Sequence, residues 1–369
     1  MSNNYICFIR SNDMNPDPRV NKYINYLNEI NYRYITVGWN RYLSNRVITD
    51  YSFNKKAKYG SGYKNVINLI QWNLFIFIVL YKERYNIKTI HSCDFDTIIP
   101  SYIFSKLFKK KVIFDIFDLY EDSRNFNNRF IKKIISILEQ YFIKKSDIVI
   151  ICEEERKIQI KGNVKNLIII PNIPYVSNSL LNILNKSKMD IENIVYTENI
   201  KIGYLGVLTD DRCIKELLDV IDKNAKFELD IAGFGPLEDI CKQMMIKNNR
   251  IRYYGKVNYE DGLKMLLQSD YMWAYYSPIN NNNKLAAPNK FYESLMLGVP
   301  IITSLNTLVG EKVKKYNTGI VINNDDISML PRFLKKDIKI YKKNCKYYWE
   351  NYFKEYLKNN IPLIYKGKM

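Results

Sequence analysis

Residues 288–302 read Pro288-Asn289-Lys290-Phe291-Tyr292-Glu293-Ser294-Leu295-Met296-Leu297-Gly298-Val299-Pro300-Ile301-Ile302, and the run places one helix between two breaks. Pro288 stands where a helix begins, because its missing N–H costs nothing in a first turn whose N–H groups have no intrahelical acceptor. Gly298 stops the helix, since glycine takes the left-handed backbone of a helix end, and Pro300 cannot continue it. Val299-Pro300-Ile301-Ile302 then reads as the start of a buried strand. A helix N-terminus offers unpaired N–H groups and a partial positive charge, which suits a phosphate. Lys290 adds a full charge, and Glu293, one turn on, is placed to accept from sugar hydroxyls. An ordinary helix–turn–strand would carry the same residues, so the chemistry has to be read from the surroundings.

The same alternation extends in both directions. Downstream of residue 200, strands are expected at Lys201–Tyr204, Phe227–Ala232, Ile251–Tyr254, Tyr271–Tyr275, Val299–Thr303 and Gly319–Ile322. Helical periodicity fills Ile214–Ile221, Leu237–Asn248, Glu260–Gln268 and Asn289–Met296. Upstream, strands are expected at Tyr5–Ile9, Tyr34–Trp39, Thr89–His91, Val112–Phe117, Ile148–Ile151 and Leu167–Ile170. The helices between them are Arg19–Ile30, Val66–Tyr81, Ile98–Phe108 and Phe130–Lys144. Strand–helix–strand alternation of this kind argues for parallel sheets covered on both faces. The polar stretch 171–201, rich in Asn and Ser with Pro171 and Pro174, reads as a connector. The expected architecture is α/β: two Rossmann-like, doubly wound domains over 1–172 and 201–340, facing a central cleft and joined by a linker over 173–200. An aromatic-rich terminal helix is expected within 341–369.

Composition bounds the function. The 369 residues are 47% hydrophobic and 25% charged, enough for two or three cores and unlike a disordered chain. Six cysteines are too few and scattered for a disulfide scaffold and form no C-x-x-C pair, so reduced thiols of a cytosolic protein are expected. His91 is the single histidine. That excludes a multi-histidine metal cage and leaves chemistry to carboxylates, Lys and Arg, backbone amides and the substrate.

The formal charge is +18, which suits nucleic acid, anionic lipid or a phosphorylated substrate. A bias toward Lys, Asn, Ile and Tyr also fits A/T-rich codon usage on solvated faces. The clusters Lys109–Lys111, Lys132–Lys133 and Lys144–Lys145 share the first half with the apolar segment Val66–Leu80, and no nucleic-acid-binding motif accompanies them. An anionic membrane or lipid-phosphate acceptor therefore fits better than nucleic acid. Asn68, Gln71 and Asn73 interrupt Val66–Leu80 well short of the ~20 apolar residues of a span. It reads first as a core helix and second as one whose apolar face touches a membrane. Met1–Arg10 lacks the basic start and apolar stretch of a secretory signal. The expected location is cytoplasmic, with peripheral contact at the inner face of the membrane.

Taken together, the segments resemble family-4 glycosyltransferases, retaining enzymes of the two-Rossmann GT-B fold. Residues 288–302 are similar to the donor-binding segment of that family. Asp17-Pro18-Arg19-Val20 with Ile35–Trp39 resembles its opening strand–loop–helix, and residues 91–96 and 112–121 its next two sheet ends. Ile170-Pro171-Asn172, Gly203–Gly206, Arg212, the turn Gly233–Pro236 and Gly255-Lys256-Val257 follow in family order. The likeness covers nearly the whole chain.

The resemblance implies roles position by position. Gly206 would bring backbone close to the donor diphosphate. Arg212 and Lys215 would neutralise that diphosphate as the nucleotide leaves; a solvated helix face is the alternative for both. Gly233 and Gly235 would shape the nucleotide pocket, with a plain turn as the alternative. Glu293 would hold the ribose hydroxyls, with Asn289 and Lys290 at the phosphate end. Asp115 and Asp118, with Glu121, would bind the acceptor hydroxyl, while His91 is expected in a structural, hydrogen-bonded role. The terminal helix would pack across the domain junction. No metal or other cofactor is expected. The partners implied are a nucleotide-sugar donor and a glycan or lipid-linked glycan acceptor, for a hexosyltransferase of surface polysaccharide biosynthesis such as lipopolysaccharide or capsule. Three positions depart from the family: Leu285 where an acidic residue is frequent, Phe117 where a histidine is frequent, and Val207 where a basic residue is frequent. Those departures keep open a catalytically weak scaffold or partner subunit; a nucleotide-sugar epimerase, which the single histidine disfavours, and a nucleic-acid binder relying on the +18 charge are the other rivals.

Overall fold

The structure is a computed structural model, and it describes residues 4–365 apart from 13–16, 42, 44–48, 58–65, 124–127, 177–179, 183–198, 280 and 335–337. The chain divides into two compact units, Met1–Tyr175 together with Leu357–Met369, and Val176–Tyr356. Most of the expected linker 173–200 lies outside the described residues.

The first unit is built on seven parallel strands: β1 (Tyr5–Arg10), β2 (Tyr34–Asn40), β3 (Tyr51–Asn54), β4 (Ile87–Cys93), β5 (Lys111–Ile116), β6 (Ile148–Ile151) and β7 (Leu167–Ile169). Their order is β3-β2-β1-β4-β5-β6-β7. The helices are α1 (Pro18–Glu29), α2 (Val66–Lys82), α3 (Phe95–Leu107) and α4 (Arg129–Lys145). Alternation along β1 separates the two faces: Cys7 and Ile9 join the core with Trp72, Ile76, Phe104 and Phe142 from α2, α3 and α4, whereas Phe8 stacks on Tyr23 of α1 at 6.2 Å. Local chemistry sets the helix starts. The Asp17 carboxylate accepts from the Arg19 N–H at 3.0 Å with Pro18 following it, and Asn128 caps α4 through the Phe130 and Ile131 N–H groups.

The second unit has six parallel strands: β8 (Ile200–Val207), β9 (Phe227–Phe234), β10 (Ile251–Tyr253), β11 (Tyr271–Trp273), β12 (Ile301–Ser304) and β13 (Gly319–Ile322). Their order is β10-β9-β8-β11-β12-β13. Its helices are α5 (Ile214–Lys223), α6 (Glu238–Lys247), α7 (Tyr259–Leu267), α8 (Asn289–Leu297), α9 (Leu308–Tyr316) and α10 (Ile338–Tyr348). The α8 stop is as its residues demand, with Gly298 left-handed at φ 70°.

Four elements differ from expectation. Strand β3 and helix α9 were not foreseen, and α3 starts three residues early, at Phe95. The terminal stretch is not one helix: α10 runs into a π-helical turn at Trp349–Phe353, and α11 (Tyr356–Tyr365) follows. From Leu357 on, α11 belongs to the first unit. There Lys111 Nζ donates to the Ile364 carbonyl at 3.1 Å.

In both sheets the chain begins at a central strand, steps one way, and returns to add strands on the other side. Such a switch point, at the carboxyl ends of the two central strands, is where open α/β sheets take ligands. It lies at β1/β4 in one unit and β8/β11 in the other.

Candidate functional site

At the β8/β11 switch point, Gly206 near the end of β8 pairs in register with Gly233 of β9. A Cβ on Gly233 would lie 1.8 Å from the Gly206 carbonyl oxygen, and one on Gly235 2.6 Å from the Leu208 carbonyl oxygen. Close strand and turn approach thus requires both of these glycines, whatever binds nearby. Gly206 is different. A Cβ there would sit 2.8 Å from the Lys290 ammonium and 3.2 Å from the Tyr204 hydroxyl, so the missing side chain makes room for a cation.

Lys290, in the first turn of α8, places Nζ 5.3 Å from the Tyr204 ring centre and 5.8 Å from that of Tyr276. The Arg212 guanidinium lies 4.1 Å from the same Tyr276 ring and 2.6 Å from Asp211. One aromatic ring therefore carries two cations. Each part is anchored from below. Trp273 Nε1 donates to the Arg212 carbonyl at 2.9 Å, and the Ser277 N–H donates to the Asp211 carbonyl at 2.9 Å. Ser304, ending β12, donates to the Tyr276 carbonyl at 2.6 Å. Asn283 donates to Asp211 at 3.2 Å and to the Ser277 carbonyl at 2.8 Å.

Glu293, one turn along α8 from Lys290, is buried and accepts from the Tyr259 hydroxyl of α7 at 2.9 Å. Burial raises its carboxyl above the usual range, with the Lys290 charge and the Tyr259 hydroxyl opposing. Asn289 is the first residue of α8. Lys215 stands apart from this group: it is exposed and paired with Asp210 at 2.7 Å, as a solvated helix face would have it.

The β1/β4 switch point is also crowded with charge. Arg10, which ends β1, pairs with Asp17 at 3.1 Å and with Asp94. Asp94 takes a positive φ of 66°, and its carboxylate accepts from the Phe117 N–H at 3.0 Å. Asp118 is bound by Arg156 at 3.1 Å and Arg19 at 3.4 Å. Burial would raise its carboxyl, but the two guanidinium groups outweigh that and hold it below its ordinary range. Asp115 is not presented to solvent. It is buried on His91, whose Nε2 lies 3.1 Å from it, while His91 Nδ1 lies 2.9 Å from the Tyr365 hydroxyl of α11. His91 thus has the hydrogen-bonded role its position suggested.

The three departures have visible environments. The Phe117 ring lies 4.5 Å from the Arg10 guanidinium and 5.3 Å from that of Arg19, so a protonated histidine there would meet two like charges. Val207 is 46% exposed, and its carbonyl accepts from the Tyr204 hydroxyl at 2.5 Å. Leu285 is half-buried, just beyond the one-turn helix Asn281–Lys284.

Among the described residues, one group has the composition of a metal site: His91, Cys93 and Asp115, with ligand atoms within 4.8 Å of one another. Both His91 ring nitrogens already have partners, and burial followed by the Asp115 charge pushes the Cys93 thiol well above its ordinary value, favouring the protonated form. These residues do not fit an open metal centre. Sequence reading had missed Tyr276, Tyr204, Asp211 and Asn283; among 31 tyrosines, only the place of Tyr276 just past a central strand could have singled it out.

Residues 185–351 match the family model described as glycosyl transferases group 1. No curated protein sequence matches. Among solved structures, the chain is similar to sucrose-phosphate synthase from Thermosynechococcus elongatus, at TM-score 0.69 and 13% identity over 98% of each chain. It is similar to Anabaena HepE in complex with UDP and glucose, at TM-score 0.68 and 13% identity over 98% of this chain and 99% of that one. It is also similar to WaaG, a glycosyltransferase involved in lipopolysaccharide biosynthesis, at TM-score 0.66 and 9% identity over 98% and 100%. Identities this low speak to the fold alone. The chain therefore has two parallel-sheet α/β domains of the kind found in GT-B glycosyltransferases, and the second of them carries the match to glycosyl transferases group 1.

Proposed function

We propose that this chain transfers a sugar, with retention, from a nucleotide-sugar donor to a lipid-linked glycan acceptor in surface polysaccharide biosynthesis. The observation that carries the reading is the pair of cations on Tyr276, with Gly206 clearing space beside Lys290. In the transfer, the bond from the anomeric carbon to the phosphate oxygen breaks while the acceptor oxygen bonds that carbon from the same face. The acceptor proton leaves with the phosphate. Negative charge grows on the departing nucleoside diphosphate, and preorganised cations aimed at growing charge are a large source of rate. Arg212 and Lys290 supply them, so a divalent metal is not required to hold the diphosphate. Glu293, set one turn deeper, fits the donor's hydroxyls. On this reading the chain works on the cytoplasmic side of a membrane, in peripheral contact with it; no helix among the described residues is long and apolar enough to cross one.

A thermal-shift panel with UDP, GDP, CMP, ADP and their sugar conjugates tests the donor site. UDP conjugates come first, since HepE was solved with UDP and glucose. A ligand at about 100 times its dissociation constant should stabilise by about 2.7 kcal/mol. A shift with one nucleotide, followed by sugar transfer from its conjugate, supports the reading. A folded protein that responds to none is a scaffold, not a transferase.

A further inference from the structure

We infer that the outer face of α2, α3 and α4 docks the first unit onto an anionic lipid bilayer. The inference deepens the reading of a lipid-borne acceptor and rests on it for its purpose, while the surface itself is testable without sugar transfer.

The three helices lie side by side on one face of the sheet. Ring contacts join them, Phe77 to Phe104 at 5.9 Å between α2 and α3, and Tyr102 to Phe142 at 5.4 Å between α3 and α4. Trp72, Ile76, Val79 and Leu80 fill the inward side of α2. Its outward side is apolar as well: Ile67, Ile70, Leu74, Ile78 and Tyr81 are each more than half exposed. Their spacing of three, four, four and three residues makes one stripe along the helix. On α4, Phe130, Ile134, Ile137 and Tyr141 repeat that pattern at 41% to 70% exposure, and α3 between them exposes Ile103 and Leu107. Solvent-facing helix sides normally carry charge, so three neighbouring apolar stripes are a patch that needs covering.

Charge identifies the cover. Each carboxylate within these helices, Asp96 on α3 and Glu139 on α4, is buried. The exposed charges on them are all basic, among them Lys82, Lys106, Lys133, Lys144 and Lys145. Apolar side chains rimmed by cations fit a bilayer, where the former enter the acyl boundary and the latter meet phosphate headgroups. A second copy of this surface would bring like charges together.

The test is flotation of the full chain with phosphatidylcholine vesicles, with and without phosphatidylglycerol, at low and high salt. We expect binding to the anionic vesicles that weakens as salt rises. Leu74→Glu and Ile137→Glu should each lower the partition coefficient about tenfold or more, and the double variant Lys132→Glu, Lys133→Glu about tenfold. Circular dichroism should show all three folded as wild type, with nucleotide-induced melting shifts unchanged. A wild type that stays off anionic vesicles at low salt, or variants that float with it equally, overturns the inference. So does sedimentation velocity showing a dimer that Leu74→Glu dissociates, which makes the occupant a second copy. Flotation intact in a wild type that responds to no nucleotide would instead sink the donor reading alone.

Discussion

The two sheets place their central strands alike, yet their switch points use charge in opposite ways. At β1/β4, Arg10, Arg19 and Arg156 are matched to Asp17, Asp94 and Asp118, and Asp115 is matched to His91. At β8/β11, Arg212 divides itself between Asp211 and the Tyr276 ring, and Lys290 lies among aromatic rings. A guanidinium committed to carboxylates has little left for a ligand, whereas an ammonium over a ring keeps donors free for a phosphate. One topology thus serves as a charge-locked frame in the first unit and as an anion-receptive site in the second.

The largest effect should come from unlocking the frame. Arg10→Met leaves the partly buried Asp94 and Asp17 short of a buried cation and should cost about 3–5 kcal/mol in urea unfolding. A loss under about 1 kcal/mol would mean that those pairs do not hold the unit. Next is a carboxyl the frame keeps neutral. Burial pushes Glu139 from its ordinary 4.5 up to about 8, although the Tyr120 N–H donates to both of its oxygens. A carboxyl with its folded pKa raised binds more protons folded than unfolded, so its contribution is present in acid and lost as pH climbs from 4.5 to 8. The wild type should lose about 4 kcal/mol across that window relative to Glu139→Gln; parallel pH profiles would refute it. In the second unit the signature reverses. Lys290→Ala should lower turnover about 100-fold while leaving the melting temperature in place; a variant that melts early but turns over normally would erase the contrast. The smallest effect belongs to Tyr259→Phe. It removes a donor to Glu293 and should cost about 1 kcal/mol of stability, with a matching weakening of donor affinity by titration calorimetry.

Alternation of apolar runs and helical periodicity made both sheets legible, because a parallel strand buried on both faces has few polar residues to disguise it. Gly298 and Pro288 were legible for the same reason, since each answers a backbone demand. Strand β3 was not: Tyr51-Ser52-Phe53-Asn54 is a half-buried edge strand and too short for a pattern. Helix α9 hid behind Gly310, a poor helix former required there because a Cβ would meet the Ser304 carbonyl oxygen at 2.3 Å. Helix α3 started early because Asp94 makes the whole turn in one residue of positive φ. In the candidate site, Arg212, Lys290, Glu293 and Gly206 could be named from sequence. Tyr276 could not, since its importance lies in which two cations reach it across the fold. Gly233 and Gly235 were named too, but what the structure gives them is a packing reason.

The return of α11 to the first unit sets an order of events during synthesis. Tyr365, the partner of buried His91, leaves the ribosome long after Tyr175, with the whole second unit between them. At about 5–20 residues per second that interval is roughly 10–40 s. Throughout it His91 lacks its tyrosine, and the segment meant to cover this part of the sheet does not yet exist. The second unit has all its strands before then. The half of the protein made first is therefore the half finished last, and a nascent chain halted before residue 357 should hold a closed second unit behind an open first one.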